Sequence, residues 1–70
     1  MFTLRVETKD TWILVEKLNG MLVGGVRYRH CREGNHYQPW IVREGDRQDV
    51  GLPVPQLGMA ARIAENESAK

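Results

Sequence analysis

The sequence predicts an α+β domain: a small antiparallel β-meander of three to four strands with one C-terminal helix packed on one face. Three features predict it. Apolar and polar residues alternate with a period of two from Phe2 onward, Asn19-Gly20 sits between two apolar runs, and the apolar spacing becomes helical after Pro55. The 70 residues make a single small domain spanning 1–70, near the lower limit of chains that fold without crosslinks. One cysteine cannot form an internal disulfide, which points to a reducing compartment or to no reliance on crosslinks; a cytoplasmic setting is expected. No apolar run approaches the ~20 residues of a membrane span, and no signal peptide is evident, so no membrane association is expected.

Phe2, Leu4 and Val6 alternate with Thr3, Arg5 and Glu7, giving a half-buried strand over about 2–7. Thr8 to Asp10 form a turn, and the β-branched and aromatic run 12–18 forms the second strand. Asn19-Gly20 suits a two-residue type I′ turn, because both residues tolerate positive φ. That turn sets Leu18 against Met21, Ile13 against Val26 and Trp12 against Arg27. The third strand then covers 21–31, with Gly24 and Gly25 as places where a bulge would shift the register.

Arg32 to Asn35 read as a four-residue turn into a fourth strand over 36–42. Pro39 cannot donate to a ladder, so this strand is expected at an edge or broken there. The registers combine into two rows, Ile13–Val26–Ile41 and, on the opposite face, Trp12–Arg27–Trp40. Residues 43–51 are polar and form either a loop or a further short hairpin into 48–50. The helix is expected over about 55–66, opened by Pro55, with Leu57, Ala60, Ala61 and Ala64 on one stripe between Met59 and Ile63. The face bearing Ile13, Val15, Val26, Tyr28 and Ile41 is expected to receive it.

The segment Arg27–Trp40 holds both histidines, the cysteine, both tyrosines and one tryptophan. The chain carries ten Lys and Arg against nine Asp and Glu, yet residues 27–32 have three arginines and no acid. Near-neutral total charge speaks against binding nucleic acid through the overall field, while a local basic surface survives. His30, Cys31 and His36 do not make a zinc site, since His30 points away from the other two and no second cysteine exists. A Cys31–His36 dyad would need an orienting group, an oxyanion hole and a pocket, for which so small a domain has little room. The chain is therefore read as a non-enzyme with no cofactor and no metal.

The reading that remains is an interaction module binding another protein through an aromatic–arginine sheet face of Trp12, Arg27, Arg29, Gln38 and Trp40. A guanidinium between two indoles would make cation–π contacts of roughly 0.5–1 kcal/mol each; the competing expectation sets one tryptophan in the core or under the loop over 43–51. Such a chain fits a small regulator or inhibitor, including an accessory protein of a phage or other mobile element. The alternative is a DNA- or RNA-binding module using the same face. The element order resembles small domains that lay a three-stranded sheet in the DNA major groove, a likeness of architecture carried by no motif. Unpaired edges at the first and fourth strands leave a homodimer open.

Overall fold

In a computed structural model of the chain, described for every residue but Glu33 and for all side chains but those of Cys31, Glu33 and Asn35, the fold is α+β. Its strands are β1 (Phe2–Thr8), β2 (Thr11–Glu16), β3 (Leu22–Cys31), β4 (Gly34–Arg43) and β5 (Asp46–Asp49), followed by the helix α1 (Leu57–Ser68). They form one antiparallel meander in the order β1-β2-β3-β4-β5. The helix packs on β3 and β4.

The first hairpin corrects the expected turn. Glu16 N–H donates to Met21 O at 2.9 Å and Gly20 N–H to Glu16 O at 2.8 Å, so residues 17–20 form the loop rather than Asn19-Gly20 alone. Asn19 Oδ1 accepts from Met21 N–H at 2.9 Å, and Gly20 sits at φ +69°. The same dipeptide thus serves an Asx turn and a left-handed residue, leaving Leu18 and Met21 exposed. The type I′ geometry falls instead at Glu44-Gly45, with φ of +55° and +84°, joining β4 to a fifth strand.

The longer loop changes the register by one residue. Trp12 pairs with Val26 and Ile13 with Gly25, and a bulge follows between Leu14 and Val15. A slip of one residue moves a strand's side chains to the other face relative to its neighbour. Leu4, Leu14 and Ile41 therefore face α1, with Val26 one row along, while Ile13 and Val15 lie opposite. Leu14 and Ile41 meet Ala64, and Ala60 and Ala64 are fully buried, so the expected alanine stripe is the one that seats the helix.

The second hairpin also closes tighter than expected. Pairing runs out to Cys31↔Gly34, which places Gly34 and Asn35 in β4 instead of in a four-residue turn. Gly34 takes φ +131°, a conformation that needs glycine. Pro39 does not mark an edge either, since β4 pairs on both sides. Val50 N–H donates to Pro39 O at 3.0 Å, after which the neighbouring segment bulges away at Gly51 (φ +66°). It returns at Val54, which exchanges both backbone hydrogen bonds with Tyr37 at 2.8 and 3.0 Å. The absent N–H of Pro39 thus falls where the neighbour has moved off. Val54 is held extended by Tyr37 and by the proline after it, so α1 starts at Leu57, not Pro55.

One contact fixes the centre of the sheet. Gly25 lies opposite Trp40, whose indole is 3% exposed and covers the glycine. A Cβ at Gly25 would overlap the Trp12 carbonyl oxygen and the Trp40 ring, coming 2.8 Å from Cε2. Backbone cannot yield as a flexible side chain can. Gly25→Ala is expected to cost about 3 kcal/mol or more, a large share of the stability of so small a domain. Urea unfolding monitored by circular dichroism checks this; a loss below about 1 kcal/mol would contradict the packing.

Candidate interaction surface

The two faces of the sheet hold different chemistry. On the face away from α1, the row Ile13–Gly25–Trp40–Asp49 carries the buried indole. The expected Trp12–Arg27–Trp40 row does not form: the one-residue register change puts Trp12 on the helix side, and the tighter second hairpin sets Arg27 opposite Gln38 and Gly25 opposite Trp40. A guanidinium does lie over Trp40, but it belongs to Arg47, 4.3 Å from the ring centroid. Arg27 reaches across β4 to Asp49, its Nη2 donating to both carboxylate oxygens at 2.9 and 3.2 Å.

Arg47 also ties the edges of the sheet together. Four strand spacings of about 4.8 Å would hold β1 and β5 about 19 Å apart if the sheet were flat, beyond the joint reach of these side chains. Yet Arg47 Nη1 and Nη2 donate to Glu7 Oε1 and Oε2 at 2.8 and 2.7 Å. The sheet is therefore twisted and bent towards the Trp40 side. Gln38, 3% exposed, is enclosed on this side, and its Nε2 donates to the carbonyls of Pro39, Val50 and Gly51 at 2.9, 3.2 and 3.3 Å. Of the expected binding residues, Trp40 and Gln38 thus belong to the interior.

The helix side carries the open surface. The rings of Trp12 and Tyr37 lie 5.8 Å apart, Tyr37 and Tyr28 5.2 Å, and Tyr28 and His30 4.8 Å, in tilted to edge-on contact. Trp12 and Tyr37 stand on strands either side of β3 and close over Val26, which has no exposed surface. The three larger rings are half-buried and His30 is exposed. Burial pushes the Tyr28 phenol up, and the charges of Tyr37 and Asp10 add to this.

The ridge is uncovered for a geometric reason. The 12-residue α1 spans about 18 Å. The 10-residue β3 and β4 each run about 33 Å. β2 ends against Arg27, so the outer half of the β3–β4 hairpin projects as an arm with Tyr28 N–H held by Asp10 O at 2.7 Å. Arg29 and Arg32 are exposed on that arm and make no ion pair among the described residues. His36 pairs with Arg29 and His30 with Asn35, so the two histidines occupy opposite faces. The Cys31 side chain lies outside the described residues.

Sequence reasoning put Tyr28 on the face expected to receive the helix, outside the candidate site, and missed Glu7 and Arg47. The alternation Arg47-Gln48-Asp49 was the available signal for the latter, since it puts both charges on the Trp40 side. No protein-family model matches the chain, and neither does a curated protein or a solved structure. No helix among the described residues is long and apolar enough to cross a membrane.

Two measurements check this division. Acrylamide should quench the fluorescence of a Trp40→Phe variant, which reports Trp12, far more than that of Trp12→Phe, which reports the enclosed Trp40; equal quenching would contradict the burial. The Arg47 hydrogen bonds hold the Glu7 carboxyl below its ordinary 4.5. A depressed carboxylate contributes stability above its unfolded pKa and loses it as pH falls through the folded value. Glu7→Gln should therefore melt below wild type at pH 7, with the gap closing as pH falls below 4.5. A gap that stays constant into acid would rule out the ionic tie.

Proposed function

We propose that the chain is a non-enzymatic interaction module that binds another protein through the Trp12–Tyr37–Tyr28–His30 ridge, acting as a small cytoplasmic regulator or inhibitor. The carrying observation is a continuous line of rings left uncovered from Trp12 on β2 onto a projecting arm, whose opposite face carries the exposed Arg29. Tyr, Trp and Arg are the side chains that dominate protein interfaces, since each presents large contact area with a polar end. The rings pack edge-on against one another, which suits apolar anchors from a partner better than successive stacked bases.

The exposed arginines of a two-stranded arm favour one second reading, a nucleic-acid module, because a β-ribbon fits the major groove. Net charge of +1 and the engagement of Arg27 by Asp49 weigh against it.

Capture from a lysate of the source organism, followed by mass spectrometry, tests the leading reading. A species retained by wild type should be lost with Tyr28→Ala and with Trp12→Ala, each weakening binding by about 30-fold or more if the rings are anchors. Circular dichroism confirms that the variants remain folded. Retention unchanged by folded variants would sink the proposal. A mobility shift of oligonucleotides at low salt, with a salt slope that Arg29→Ala lowers by about one, would transfer the function to nucleic acid.

A further inference from the structure

We infer that the open edge of β1 pairs with β1 of a second copy of this chain, antiparallel and centred on Leu4. This site adjoins the aromatic ridge, since Val6 pairs with Trp12, but it is argued from the β1 edge alone and does not depend on the ridge's function.

The two edges of the sheet differ. β5 is a four-residue strand of exposed Asp46, Arg47, Gln48 and Asp49, a composition that discourages strand addition. Over Phe2–Val6, β1 carries a single charge, Arg5, and its helix side is entirely apolar. Lys17 N–H donates to Met1 O at 2.9 Å, so residue 1 bonds towards β2. Antiparallel pairs alternate between bonded and non-bonded positions, which makes Thr3 and Arg5 bond inward as well. Phe2, Leu4 and Val6 then direct their N–H and C=O groups outward. None of these outward groups has a partner among the described residues.

The side chains select the occupant and the register. Phe2, Leu4 and Val6 share the helix side, and Val6 is 71% exposed. In a two-fold pairing centred on Leu4, the apolar triplet reads the same in both directions. Leu4 meets Leu4 of the second copy, and each Val6 meets a Phe2. On the other side Thr3 meets Arg5, so no like charges oppose each other. Moving the pairing by two residues towards the C-terminus would set Arg5 against Arg5, which is unfavourable. It would also run into the bulge between Val6 and Thr8, where the edge loses its regular alternation. The regular part of the edge, apolar on its helix side, therefore coincides with the self-complementary part. The pairing covers the most exposed residue on the helix side of β1 and joins two five-stranded sheets into one.

Edge pairing of this length buries little area, so the dimer is expected in the weak class, with dissociation at roughly 1–100 µM. Sedimentation velocity from about 10 µM to about 1 mM should show mass rising from 8.0 kDa towards twice that value. Hydrogen exchange should show the amides of Phe2, Leu4 and Val6 gaining protection with concentration. Val6→Lys places a charge on a side chain the monomer leaves in water, and Val6→Pro removes only an outward N–H. Each should weaken association by about tenfold or more while circular dichroism stays that of the wild type. A monomer throughout, association that both variants leave intact, or exchange at these amides independent of concentration would each overturn the inference. Exchange in the wild type decides the matter even if a variant fails to fold.

Discussion

The sheet depends on an absence, the missing side chain at Gly25, where the Trp40 indole lies across β3. Because the indole fills that space, a face that would otherwise present a groove becomes a second small core. The contact also ties three strands together, since the Cβ position left empty at Gly25 is crowded by the carbonyl of Trp12 as well as by the indole. The Arg47 guanidinium can then rest on the indole and still reach Glu7 on the far edge. With both side chains partly exposed, that ion pair has modest strength of its own, and its geometry follows from the curvature. The glycine–tryptophan contact sets the bend, and the bend brings the edges within reach.

This constraint explains what could and could not be read from the sequence. Period-two alternation and the late switch to helical spacing are local properties, so the class, the meander and the alanine-lined helix were legible. Register was not. Asn19-Gly20 is compatible with a two-residue turn and with a longer loop containing an Asx turn, and no neighbouring residue distinguishes them. Leu18 and Met21 looked like strand residues because they are apolar, yet a small domain leaves several apolar side chains in water. What decides is distant: Gly25 has to lie opposite Trp40 and next to Ile13, which the two-residue turn forbids. Glu44-Gly45 took the type I′ geometry with no sequence preference at its first position that would have announced it.

The same displacement reorganised the candidate site. Aromatic and arginine side chains were expected on one face, and the structure separates them. Arg27, Gln38 and Trp40 fall on the bent face, each engaged by Asp49, backbone carbonyls or Arg47. Trp12 moves to the helix side and meets Tyr37 and Tyr28. A cation over an indole was the right chemistry with the wrong arginine, because a further hairpin was one of two readings of residues 43–51 and its register, which sets Arg47 beside Trp40, was not legible. Arg29 stays exposed on the arm, on the face opposite the rings.

The ridge has a structural role at one end and an uncommitted surface at the other. Trp12 and Tyr37 replace the helix beyond its reach, roofing Val26 as the helix roofs Ile41. A substitution at either ring therefore disturbs both packing and any contact made outside. Tyr28 and His30 stand further out, beyond the start of β2, and no fully buried side chain among the described residues lies beneath them. Their edge-on contact orders the rings without enclosing them, which lowers the conformational entropy left to lose when a partner docks. The outer half of the ridge can thus vary with a partner while the inner half is held by the fold. Contact energy gained at Tyr28 and His30 is consequently separable from the stability of the domain, whereas at Trp12 the two are linked.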